Sequence, residues 1–217
     1  VDAFPIGIDF RKFDEAARSK KVQSEIKQIR SNLGPSKLIF SIDRLDYTKG
    51  FLSRLASYEF FLEKYPEWHE KIVFNMIVIP SRDTIGSYQE MKKEIDALVG
   101  RINGKYGTIV WRPIIYQYRS VPFDELVALY SLSEVALITP LRDGMNLVCK
   151  EFAACQIKNA GVLILSEMAG AAAELGEALI INPTDKMEVA AALNKALLLP
   201  VRERELRMEL IRKRLMN

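Results

Sequence analysis

The sequence predicts an α/β domain built on one doubly wound parallel sheet. Short apolar runs alternate with amphipathic helical stretches along the whole chain. The runs lack the polar alternation of a half-solvated strand, as expected where helices cover both faces of a sheet. The loops richest in charge and glycine follow these runs, where open parallel sheets gather their ligands.

Val22, Ile26, Ile29 and Leu33 form one apolar stripe, so Phe10 to Leu33 reads as a helix that Gly34-Pro35 ends. Lys37 to Ile42 reads as a buried strand and Phe51 to Tyr65 as an amphipathic helix. Ile72 to Ile79 is a second strand. Tyr88 to Val99 is a helix closed by Gly100 or Gly104. Thr108 to Ile115 reads as strand, Phe123 to Leu132 as helix, Val135 to Thr139 as strand and Leu147 to Gln156 as helix. Val162 to Leu165 and Ala178 to Ile181 are the last strands, with the helix Lys186 to Leu199 after them. Repeats, low-complexity tracts and long linkers are absent, so one domain is expected.

Composition narrows the class. The 217 residues are 49% hydrophobic and 27% charged, with net charge +3. That surplus is too small to indicate nucleic acid without a clustered basic face. The two cysteines, Cys149 and Cys155, stand six apart on one helix and point to different faces. Neither a disulfide framework nor a metal cage is expected from them. No apolar run is long enough for a membrane span, and the first residues do not read as a signal peptide. A cytoplasmic setting is expected. The chain starts without an initiator Met and ends inside a helical pattern at Arg212 to Asn217, which suggests a piece of a longer protein.

Two loops carry the chemistry. Asp43-Arg44-Leu45-Asp46-Tyr47-Thr48-Lys49-Gly50 places Arg44 and Lys49 at the sheet's carboxyl edge. Two cations there suit a diphosphate. A solvated loop, its cations paired with Asp43 and Asp46, explains the composition as well. The second loop runs Pro140-Leu141-Arg142-Asp143-Gly144-Met145-Asn146, then Leu147-Val148 and Glu151. Gly144 admits close backbone approach, and Asn146 is a plausible N-cap. The Leu147 and Val148 amides then face outward as an anion site. Glu151, one turn on, can hold two ribose hydroxyls, and a capped core helix with an exposed Glu fits equally. Arg82 is a third cation at the same edge, and the small residues of Ser166-Glu167-Met168-Ala169-Gly170-Ala171-Ala172 fit close backbone approach and tight helix packing equally.

Other chemistries find no footing. The chain has neither a Gly-x-Gly-x-x-Gly nor a Walker loop, and no Asp-x-Asp pair to hold a metal on a diphosphate. His69 is the one histidine and reads as a surface loop residue, so Ser-His-Asp hydrolysis is not expected.

On these residues the sequence resembles the trehalose-6-phosphate synthases, retaining glycosyltransferases of the GT-B fold. The stretches are Phe4 to Asp9, Asp43 to Gly50, Gly100 to Gly107, Thr139 to Phe152 and Gly161 to Ala172, with Asn182-Pro183 and Asp185 following. They separate this family from glycogen synthases and sucrose-phosphate synthases. The resemblance implies that residues 1–217 are the Rossmann-like donor-binding half of such an enzyme. It implies UDP-glucose and glucose 6-phosphate as substrates and no metal or other cofactor. Arg44 and Lys49 match the diphosphate-binding pair, and Asp143 the ligand of a glucose hydroxyl. Gly144, Met145 and Asn146 match backbone contacts to that sugar. Leu147 and Val148 match the diphosphate amides, Glu151 the ribose carboxylate and Val121 the position whose backbone holds uracil. Arg82 matches the arginine that reaches the acceptor's phosphate. Cys149 stands where a small residue such as Ala is usual.

The resemblance also implies an amino-terminal acceptor domain that this chain lacks, and a final helix that stops short near Asn217. The chain alone is therefore expected to be inactive. Neither nucleic acid nor membrane is expected as a partner, and assembly into a homo-oligomer stays open. A non-catalytic regulatory subunit, or a nucleotide-binding module without sugar chemistry, is the rival reading. The presence of Arg44, Lys49 and Glu151 speaks against the first, and Asp143 with its glycine loop against the second.

Overall fold

The computed structural model describes residues 6–81 and 86–216. Six strands form one fully parallel sheet: β1 (Lys37–Arg44), β2 (Ile72–Ile79), β3 (Ile114–Tyr118), β4 (Val135–Ile138), β5 (Val162–Ser166) and β6 (Leu179–Ile181). Their order across the sheet is β3-β2-β1-β4-β5-β6. The chain builds outward from β1 to β3, then returns and lays β4 beside β1. That reversal opens a crevice between the carboxyl ends of β1 and β4, the place where such sheets bind ligands.

Eight α-helices are described: α1 (Phe10–Arg18), α2 (Lys20–Leu33), α3 (Phe51–Lys64), α4 (Gly86–Tyr106), α5 (Phe123–Leu132), α6 (Leu147–Cys155), α7 (Lys186–Leu198) and α8 (Val201–Met216). They cover the sheet on two sides. Alternate strand residues serve each: Ile39, Val135 and Leu137 face the layer of α3, α4 and α7, while Leu38, Phe40, Ala136 and Ile138 face that of α1, α2, α5, α6 and α8. Both faces are thus apolar, which is why these strands show no polar alternation. Among the described residues no helix is long and apolar enough to cross a membrane.

Three boundaries differ from the sequence reading. The helix expected over Phe10 to Leu33 is two helices, because Ser19 takes extended backbone (φ −64°, ψ 147°) and its hydroxyl accepts from Val22 N at 3.2 Å. It is an N-cap inside an otherwise helical pattern. Helix α4 runs through Gly100 and Gly104 to Tyr106. Its buried stripe of Tyr88, Met91, Ile95, Val99 and Ile102 outweighs the roughly 1 kcal/mol that an exposed glycine costs a helix. The strand expected from Thr108 begins only at Ile114. Thr108 N donates to Trp111 O in a turn that leaves Ile109 and Val110 in solvent, and Pro113 has no N–H for a ladder. Helix α8, of which the sequence reading takes only the end from Arg212, begins at Val201. The other elements fall within two residues of expectation at either end.

His69 lies between α3 and β2, as expected, but it is half-buried rather than a surface residue. Its ring stacks on Trp111 at 5.8 Å, and Nε2 donates to the Leu62 carbonyl at 2.8 Å. Cys149 and Cys155 are buried free thiols, and burial pushes the Cys149 thiol up to about 12.

Candidate functional site

The first loop leaves β1 at Arg44, whose side chain is exposed at the carboxyl edge. Asp46 then caps a single turn, accepting from Thr48 N at 2.9 Å. The turn closes at Gly50, φ 68°, where a Cβ would stand 2.7 Å from the Thr139 carbonyl oxygen. Only glycine combines that left-handed backbone with that approach. From the other side, Leu141 N and Arg142 N both donate to Thr48 O, at 2.7 and 3.2 Å. The loops after β1 and β4 are therefore laced backbone to backbone.

Between them Lys49 Nζ donates to Asp143 Oδ2 at 2.6 Å. Asn146 Nδ2 donates to the same oxygen at 3.0 Å, and Met145 N to Oδ1 at 3.3 Å. Burial raises the Asp143 pKa, but the Lys49 ammonium, with these N–H groups, more than reverses it and holds the carboxyl below its ordinary value. The alternative pairing of Lys49 with Asp43 or Asp46 is not formed. Asp43 instead pairs with Arg54, Oδ2 to Nη2 at 2.8 Å, both side chains buried.

Helix α6 starts as expected. Asn146 is its N-cap, with φ 72° and Oδ1 accepting from Cys149 N at 3.1 Å. Leu147 and Val148 are then the first two helical residues, whose amides have no intrahelical partner one turn back and stand at the positive end of the helix. Glu151 follows on the same face. Tyr130 O–H donates to its Oε2 at 2.9 Å, which fixes the carboxylate and leaves Oε1 to accept from a ligand. Burial pushes the Glu151 pKa up, against the opposing effects of Tyr130 and Lys12. Val121, after β3, is packed against the same apolar layer as Met145 and Val148. The structure thus joins Lys49, Asp143, Met145 and Asn146 in one hydrogen-bonded cluster at the switch point, with Gly144 inside the same loop and Leu147 and Val148 opening the helix that follows it. It sets Arg44 on that same carboxyl edge and Glu151 one turn into α6. Arg82 lies outside the described residues, as does the Phe4-Pro5 start of the first resemblance stretch.

Four parts of this site go beyond the sequence reading: Arg54, Thr139, Tyr130 and Gly170. For Gly170 the sequence offers only its place among the small residues after β5, inside the stretch Gly161 to Ala172, with no role attached. Asp143 N donates to Met168 O at 3.2 Å, Gly170 N to Asp143 O at 3.0 Å and Ala171 N to Met145 O at 2.8 Å. A Cβ on Gly170 would meet the Gly144 carbonyl oxygen at 2.0 Å. Gly170→Ala must displace the loop that carries Asp143. We expect it to cost about 1–3 kcal/mol of stability, as overpacking does, read as a lower denaturant midpoint at unchanged slope. A midpoint equal to wild type would show that the loop yields freely.

A cavity of about 510 Å³ adjoins the crevice beyond Gly50, lined by Tyr47, Phe51, Leu52, Met91 and Leu141 among others. Its walls are mainly apolar, so it suits neither phosphate nor sugar. Among the described residues no group of three or more His, Cys, Asp or Glu side chains could hold a metal ion.

Fold and site together define a doubly wound α/β domain with the Lys49–Asp143 pair and the amino terminus of α6 at its switch point, where open parallel sheets bind their ligands. The chain belongs to glycosyltransferase family 20, whose sequence profile it matches over residues 1–217. It is 54% identical over 197 residues to the bifunctional trehalose-6-phosphate synthase/phosphatase of Thermoproteus tenax, covering 91% of this chain and 27% of that protein. Among solved structures, an E. coli trehalose-6-phosphate structure bound with UDP-2-fluoro glucose superposes with TM-score 0.95 at 42% identity, over 99% of this chain and 48% of that one. An alpha,alpha-trehalose-phosphate synthase (UDP-forming) from Burkholderia xenovorans, in complex with glucose-6-phosphate, does so with TM-score 0.95 at 39% identity, over 99% and 47%. The chain thus spans about half the length of the solved relatives and about a quarter of the T. tenax protein.

Proposed function

We propose that residues 1–217 form the donor-binding part of an enzyme that moves glucose from UDP-glucose to glucose 6-phosphate with retention, giving trehalose 6-phosphate. The acceptor site would be completed by an amino-terminal domain of the same protein, in a cytoplasmic setting. The observation that carries this reading is the convergence of Lys49 and the amino terminus of α6 on one crevice, with Glu151 one turn into the helix.

In this reading the diphosphate lies between Lys49, Arg44 and the Leu147 and Val148 amides. Asp143 takes a glucose hydroxyl, with Gly144, Met145 and Asn146 as backbone contacts. The ribose lies on Glu151 Oε1 and the uracil on the backbone at Val121. Arg82 serves the acceptor's phosphate. The bond between glucose C1 and the diphosphate oxygen breaks, and the acceptor hydroxyl bonds to C1 from the same face. Its proton passes to the leaving phosphate oxygen. Negative charge grows on UDP as it leaves, and fixed cations and amides already point at the place where it develops. Lys49 is held by Asp143 in the resting site, so the donor must draw the ammonium from carboxylate to phosphate as it binds.

The test is a calorimetric titration with UDP, with and without chelator. Binding at one site per chain, unchanged by chelator and weakened by added salt, is the expected result. Binding that requires a divalent metal would overturn this assignment of the phosphate ligands.

A further inference from the structure

We propose that Arg54 is a positioning residue of this site: its buried guanidinium fixes the loops after β1 and β4 against each other and so sets the Lys49–Asp143 pair. The inference rests on reading that crevice as a diphosphate site.

Arg54 sits in the first turn of α3, and its side chain is wholly enclosed, rare for arginine. Nε donates to Thr139 Oγ1 at 2.8 Å. Nη2 donates to Asp43 Oδ2 at 2.8 Å and to the Lys49 carbonyl at 3.0 Å. Asp43 is the penultimate residue of β1, and Thr139 is the residue after β4. One rigid group therefore touches the end of each switch-point strand and the backbone of the ligand-bearing lysine. Its own amide donates to Gly50 O at 2.9 Å, in the turn that abuts Thr139.

Stability alone does not account for this arrangement. A buried ion pair gives up hydration that an apolar pair of like volume never loses, and apolar replacements of such pairs are often neutral or stabilising. Nη1 is moreover buried without a hydrogen-bond partner, an unmet donor that an apolar side chain would avoid. What the pair supplies is direction. A guanidinium holds acceptors at fixed angles in one plane, which an apolar contact cannot do. Those acceptors belong to the two loops whose separation decides whether Lys49 and Asp143 face one ligand. Arg54 need not touch that ligand.

The experiment uses the full-length protein, titrated with UDP and with inorganic pyrophosphate. Thr139→Val keeps shape and removes one acceptor of the fork. Arg54→Lys keeps a charge opposite Asp43 and removes the fork. Each is expected to weaken UDP and pyrophosphate alike by about tenfold, because a displaced Lys49 forfeits about one charge-assisted hydrogen bond to phosphate. Thr139→Ser, which restores the hydroxyl without the methyl, should recover wild-type affinity. A merely structural role would lower the melting temperature and leave the affinity of the folded protein unchanged. Should Arg54→Lys fail to fold, the Thr139→Val and Thr139→Ser comparison decides. Folded variants that bind as wild type overturn the inference. Failure of wild type to bind either probe overturns the site reading itself, and this inference with it.

Discussion

Lys49→Ala is expected to weaken UDP binding by about ten- to a hundredfold, since a hydrogen bond to a charged group contributes about 1.5–3 kcal/mol. Among the described residues the side chain has one partner, Asp143 Oδ2 at 2.6 Å, and phosphate oxygens would replace it. Pyrophosphate should lose as much as UDP, because the lysine serves the phosphates alone. The variant also frees Asp143, whose carboxyl then loses the partner that keeps it below its ordinary value. Sign follows from direction: a depressed carboxylate stabilises the fold above its unfolded pKa and loses that contribution as pH falls through the folded one. Lys49→Ala should therefore be less acid-sensitive than wild type across that range. Equal UDP affinity in the two proteins would remove Lys49 from the site.

Glu151→Gln is expected to split binding from stability. UDP should weaken by about tenfold or more, as two ribose hydroxyls lose a charged acceptor, while pyrophosphate binds unchanged. Stability should move the other way. Burial raises the Glu151 pKa above the ordinary 4.5, so its contribution to folding is fullest below that value and is lost as pH rises through the raised one. At neutral pH the neutral glutamine should then melt higher than wild type, with the gap closing on acidification. UDP affinity of wild type should itself fall as pH drops through the raised value, and that of the variant should stay flat. A pyrophosphate loss equal to the UDP loss would place Glu151 on the phosphates instead.

Much of this fold was legible because its local signals agree. Apolar strands without alternation, stripes such as Tyr88–Met91–Ile95, and caps such as Asn146 all point one way. The failures have local causes too. Ser19 looks like one polar residue in a helix until its hydroxyl is seen to cap the next one. Gly100 and Gly104 look like stops but lie on the solvent face of a helix held by its other side. Ile109 and Val110 look like strand because nothing in their composition says that Pro113 delays the ladder.

The candidate site divides the same way. Lys49, Asp143 and the α6 amides stand in two contiguous loops, each read from its own residues. Their partners come from elsewhere: Tyr130 is 21 residues from Glu151, and Arg54 is 85 from Thr139. Local spacing carries no signal for pairs that only tertiary packing brings together. Gly170 is legible only as a small residue until Gly144 O is seen beneath it.

The most direct measurement is a crystal structure of the full-length protein grown with UDP. The account predicts the diphosphate between Lys49 Nζ and the Leu147 and Val148 amides. The ribose hydroxyls should lie on Glu151 Oε1, and the ammonium should be drawn off Asp143. UDP seated elsewhere, as in the apolar cavity between Tyr47 and Leu141, with the Lys49–Asp143 pair intact, would contradict it.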